Sequence, residues 1–155
     1  MKKILNTIFV LFMVAVSTLA KDDIVPHYDI TGAGSGSEGT ILVKVYIYAN
    51  NVSDDDLKRV AVHGVVFRGC SGNQSKVRQP AMTSPASETE NKEFYKAFFA
   101  EDGDCLNFAN IISGSYDRIK TPKGYKQGAI LQVDKRALRQ YLEKAGVIRS
   151  LNNGF

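Results

Sequence analysis

Hydrophobic and polar residues alternate most cleanly between Thr40 and Ala49. Ile41, Val43, Val45, Ile47 and Ala49 fall on one face, and Thr40, Leu42, Lys44, Tyr46 and Tyr48 on the other. A period of two with one mostly apolar face predicts a half-buried strand of an antiparallel sheet. Asn50-Asn51 ends it, and the period then changes. Leu57, Val60, Ala61, Gly64 and Val65 recur at helical spacing, with Val62, Val66 and Phe67 widening the apolar side. Ser53 stands where a helix N-cap is needed and Asp56 follows three residues on, the outline of a capping box. Gly69 supplies the stop. The β-branched run VAVHGVVF leaves the second half of this helix open to a strand reading.

Further along, Ser71 to Thr89 is polar, carries Pro80 and Pro85, and reads as a long connection. A second helix is expected over Glu90 to Glu101, with a further helical turn at Cys105. Two extended runs, Ile111 to Lys120 and Tyr125 to Val133, flank Thr121-Pro-Lys-Gly124, which reads as a hairpin. Asp134 caps an amphipathic helix with Ala137, Leu138, Tyr141, Leu142 and Ala145 on one side and Gly146 at its end. The expected class is α+β: a mainly antiparallel sheet of three to four strands with helices on one face, in the order β-α-(α)-β-β-α. His27 to Thr31 adds a candidate edge strand.

Residues 1–20 are set apart from this domain. Lys2 and Lys3 precede an apolar run from Ile4 to Val16, and small residues lead to Ala20. This is the pattern of a secretory signal peptide. The run is shorter than the ~20 residues of a membrane-spanning helix, so no transmembrane anchor is expected after cleavage. Residues 21–39 read as a flexible glycine-rich lead-in, and 40–155 as a single α+β domain. Removing the leader takes Lys and Arg from 20 to 18 against 16 acidic residues. So mild a balance argues against nucleic acid as a partner.

Four features invite chemistry. Gly34-Ser-Gly36-Ser-Glu-Gly39 matches G-x-G-x-x-G, but a strand follows it where a dinucleotide site needs a helix N-terminus. Asp54, Asp55 and Asp56 suggest calcium, but lack the loop spacing of a calcium site and sit where helix capping explains them. No cofactor and no metal are expected. His63 is expected to be a packed structural residue. Cys70 and Cys105, in a chain destined for export, are expected to form a disulfide; the alternative is two buried thiols. The bridge would close a 36-residue loop, worth roughly 4 kcal/mol in the chain-entropy model.

Catalytic signatures such as C-x-x-C, H-E-x-x-H, G-x-S-x-G and the P-loop do not occur. Two surfaces remain as candidate partner contacts. One is the basic hairpin of Arg118, Lys120, Lys123 and Lys126, for which a solvated, aggregation-resistant hairpin is the competing reading; the other is the aromatic helix of Phe94, Tyr95, Phe98 and Phe99, for which core packing is the competing reading. Ala61 to Gly69, the pair Phe98-Phe99 and the ending Leu138-Arg139, Leu142-Glu143, Gly146 to Arg149 and Gly154-Phe155 resemble a group of small exported proteins of Gram-negative bacteria. Some of these are encoded beside curli-type secretion lipoproteins. The resemblance implies location and fold and no activity. Together these readings give an exported, periplasmic or secreted, non-enzymatic binding or assembly module whose partner is an envelope or secreted protein. The alternatives are a small hydrolase or thiol enzyme, and a small-ligand carrier.

Overall fold

A computed structural model describes residues 24–72 and 78–151. The leader at 1–20 and the ending at Gly154-Phe155 lie outside the described residues. The elements run β1 (Tyr28–Ser35), β2 (Thr40–Ile47), α1 (Asp54–Phe67), β3 (Cys70–Ser71), β4 (Arg78–Gln79), α2 (Pro85–Glu90) and α3 (Lys92–Phe98). A 3-10 turn (Asp104–Phe108), β5 (Ala109–Ile111), β6 (Asp117–Thr121), β7 (Gly124–Asp134) and α4 (Lys135–Lys144) follow.

The described residues form an α+β fold, with a five-stranded antiparallel sheet and four α-helices. The strand order is β1-β2-β7-β5, and β6 also pairs with β7. The sheet exceeds the expected count for two reasons. First, residues 28–35 form β1, an edge strand paired with β2 and bulged between Gly32 and Gly34, so the strand runs well into the segment expected to be a flexible lead-in. Second, the extended run from 111 to 120 splits. β5 pairs with the far end of β7 and β6 with its near end. Between them Ser115 Oγ accepts from Ile130 N–H at 3.0 Å, which keeps this residue of β7 bonded across the break.

The alternation in β2 is realised in the packing. Ile41, Val43, Val45 and Ile47 are buried, as are Ala129, Leu131 and Val133 on the neighbouring β7. Each large aliphatic side chain removed from water stabilises the fold by roughly 1.5–3 kcal/mol. α1 lies on this face. Its capping box is complete: Ser53 Oγ accepts from Asp56 N–H at 3.1 Å, and Asp56 Oδ2 accepts from Ser53 N–H at 3.1 Å. Caps of this kind are worth about 1 kcal/mol. The β-branched second half stays helical because every residue from Val60 to Phe67 is buried, so packing overrides propensity.

The connection after Cys70 is more ordered than its polarity implies. β3 and β4 form a two-stranded ribbon. Pro85 opens α2 at its first turn, where a missing N–H costs nothing. The expected second helix is two short ones, divided at Asn91.

The structure corrects two expectations. Tyr95, Phe98 and Phe99 are buried and Phe94 is half-buried. Phe98 and Phe99 meet edge to face at 4.9 Å, and Phe67 meets Tyr95 likewise at 4.9 Å. Tyr95, Phe98 and Phe99 therefore belong to the core, the competing reading above, and Phe94 keeps part of its ring at the surface. Cys70 and Cys105 are both buried and free. Cys70 follows the C-terminal end of α1, whereas Cys105 sits near its beginning, where Arg59 and Asp55 act on its thiol. The helix from Arg59 to Phe67 runs about 12 Å, and a disulfide needs Cα atoms within about 7 Å.

Burial pushes both thiols up, Cys105 from 9.0 to about 11, with Arg59 opposing. Below pH 9 the folded and unfolded chains both keep this proton. Between pH 9 and about 11 the unfolded chain releases it more readily, so stability falls as pH rises through that window. Tyr28, also raised by burial from its usual 10.0, extends the fall to higher pH. The expected result is a lower urea midpoint at pH 10.5 than at pH 8, with a smaller drop in Cys105→Ala. A thiol reagent is expected to find two thiols in denaturant and almost none in the native protein. Absence of thiols in denaturant would restore the disulfide.

Candidate functional site

The site grows from the end of α1. Arg68 is the C-cap, and Gly69 takes the left-handed conformation at φ +67°. Both amides donate to Gly64 C=O, at 2.9 and 2.8 Å. A Cβ on Gly69 would stand 2.5 Å from the Gln79 carbonyl oxygen and 2.7 Å from Ala81 N. Glycine therefore lets β4 and its continuation close against the helix end. Met82 N–H and Thr83 N–H then donate to Val66 C=O at 2.9 and 3.1 Å, capping α1 from outside. This reversal fixes where Arg68 projects.

Arg68 lies across Tyr28 of β1. Its guanidinium carbon is 4.0 Å from the Tyr28 ring centroid, and Nη1 donates to the Tyr28 carbonyl at 2.9 Å. A planar guanidinium stacked on a ring and hydrogen-bonded to its backbone loses little further freedom on binding. Tyr28 is held in turn. Its Oη is 2.6 Å from His63 Nδ1, and His63 Nε2 is 3.0 Å from Glu88 Oε1 of α2. Burial first, and Glu88 to a lesser degree, raise the Tyr28 hydroxyl well above its usual range, against the pull of Arg68. Tyr28 keeps its proton and can donate it to Nδ1, in which case Nε2–H donates to the Glu88 carboxylate. The imidazole is packed against the Phe67 and Phe99 rings at 5.0 and 5.2 Å. Gly64 beside it leaves the space that Ile30 and the Tyr28 ring occupy.

The line Glu88–His63–Tyr28 has the order of a catalytic relay, but Tyr28 at its end is 1% exposed and holds its proton. It acts as a strut beneath Arg68. Above the strut is a cleft of about 820 Å³. One wall carries Asp29 and Thr31 of β1, Lys44 and Tyr46 of β2, and Lys126 of β7. The other carries Arg68, Cys70, Ser71, Arg78 and Gln79. Lys126 Nζ is 3.6 Å from Asp29 and Lys44 Nζ 3.2 Å from Asp117. Both ammonium groups also stand against the Tyr46 ring, at 4.6 and 5.0 Å. Tyr46 Oη donates to Asp117 at 2.5 Å, and this bond, then Lys44, holds the Asp117 carboxyl below its usual range. Arg68 and Arg78 belong to no ion pair among the described residues. Among the described residues, four cations and one carboxylate line the cleft.

The basic hairpin does form, from β6 and β7, but its four cations do not share a surface. Lys126 pairs with Ile119 and turns toward Tyr46 and the cleft. The Arg118 guanidinium covers the Tyr125 ring at 4.1 Å. Lys120 and Lys123 are exposed at the hairpin tip.

Arg68, Arg78, Tyr28, Tyr46 and Glu88 are site residues that sequence reasoning missed. The available signals were an arginine directly before the helix-stop glycine and a Lys-x-Tyr pair on the polar face of β2. Among the described residues no group of three His, Cys, Asp or Glu is placed to hold a metal. No helix among them is long and apolar enough to cross a membrane. Comparison with protein-family models, with curated proteins and with solved structures gives no match.

Proposed function

We propose that this chain is an exported, non-enzymatic binding or assembly module that captures an envelope or secreted component through the cleft at the end of α1. The observation that carries this reading is a cationic cleft whose two guanidinium groups have no carboxylate partner among the described residues, one of them braced by a buried strut. The ionisable groups around it suit holding more than reacting. Burial keeps the Cys70 thiol and the Tyr28 hydroxyl protonated, and a thiol attacks as its thiolate. Export rests on the leader sequence and on the resemblance to small exported Gram-negative proteins.

Site-specific photo-crosslinking in the native envelope tests it. A crosslinker at Thr31 or Ser71, on the two cleft walls, is expected to give a discrete adduct, and one at Lys123 is not. Adducts from Lys123 alone would move the contact to the hairpin tip. Neutralising Lys120 and Lys123 is expected to leave capture unchanged at low salt, where any surface attraction is strongest.

The cleft also favours a second reading, a small-ligand carrier. Its volume lies within the ~300–1,000 Å³ usual for small-molecule sites. Native mass spectrometry of protein from its own compartment would show a retained ligand.

A further inference from the structure

We infer that the cleft recognises an oxyanion, a carboxylate or phosphate carried by a small soluble molecule, and that Arg68 is its anchor. The inference rests on the small-ligand reading above and names its chemistry. A guanidinium has five N–H donors in a fixed fork, which matches the two-oxygen edge of a carboxylate or phosphate. Arg68 spends one donor on the Tyr28 carbonyl. The ring beneath it fixes the plane of the fork, so little side-chain freedom remains to be lost on binding.

The surroundings supply the rest. Arg78 adds a second charge without a carboxylate partner among the described residues. Lys44 and Lys126 are each shared with an aspartate, so they add positive potential while leaving the strongest claim on an anion to the arginines. Asp29 is the one carboxylate among the described lining residues, and Lys126 pairs with it. An anion entering here gains electrostatically without displacing any ion pair that Arg68 makes with a described residue. A cation would find more positive than negative charge among the described lining residues. The open side of the cleft leaves room for the organic remainder of the ligand.

The test is a titration of the full mature chain at low ionic strength, followed by NMR through the arginine Nε–H signals and the Gly69 amide. The probes are inorganic phosphate, citrate, an acidic peptide and vesicles containing anionic lipid, with glycerol as the neutral control. Phosphate and citrate are expected to shift the Arg68 and Gly69 signals saturably, and glycerol is not. Arg68→Lys keeps the charge but loses the fork, and is expected to weaken binding roughly tenfold or more, read at Gly69. Arg78→Ala is expected to weaken it less, and Lys120→Ala with Lys123→Ala to leave it unchanged. Urea midpoints of each variant separate lost binding from lost folding. Equal affinity in Arg68→Lys, or binding only to vesicles or only to the peptide, would overturn the proposal. If no anion binds but the cleft crosslinks persist, the oxyanion inference fails and the binding module stands. If neither is seen, both fail.

Discussion

Gly69→Ala is expected to lower stability by about 2–4 kcal/mol and to dislodge Arg68 at the same time. The left-handed conformation at φ +67° costs a residue with a Cβ about 1 kcal/mol. The new methyl would also press on backbone, 2.5 Å from the Gln79 carbonyl oxygen and 2.7 Å from Ala81 N. Backbone cannot rotate aside as a side chain can, and overpacking of this kind costs roughly 1–3 kcal/mol. Relief comes by opening the β3–β4 ribbon, which moves one wall of the cleft. Urea unfolding and the Arg68 Nε–H chemical shift are the measurements. A stability change within about 0.5 kcal/mol, the range of an innocuous surface substitution, would mean that the reversal at Gly69 is not formed as described.

Phe99→Ala is expected to cost about 3–5 kcal/mol, the usual range for deleting a large buried ring. Phe99 is 1% exposed. Its ring lies 4.9 Å from Phe98 and 5.2 Å from His63, and it stacks with Tyr95 at 6.1 Å. The loss would therefore open a cavity next to the strut that supports Tyr28. The result separates core from surface. A partner-facing ring would leave the urea midpoint in place and reduce capture instead. Phe94, half-buried at the margin of the cluster, is expected to give a smaller loss.

How much is legible in the sequence depends on distance along the chain. β2 is visible because alternation is local, and α1 because Ser53 and Asp56 stand within one helical turn. The hairpin announces itself through Pro122 and Gly124. β3 and β4 are not visible, since strands this short carry no period. Pro85 punctuates a loop and opens a helix with the same letter. Two cysteines give no measure of their separation until α1 lies between them. The cleft is least legible. It gathers Tyr28, Lys44, Arg68, Arg78 and Lys126 from separate segments, and none of them is unusual where it stands. Only the closure of β1 on β2, and of the reversal at Gly69 on β4, makes a site of them.

The pairing of β2 with β7 joins Thr40 to Asp134 and Ile47 to Gln127. Nearly the whole domain must be present before the longest strand finds its neighbour. Sheets closed by such distant partners form slowly, on the order of milliseconds to seconds. The same topology delays closure until the last strand, β7, is available to pair with β2.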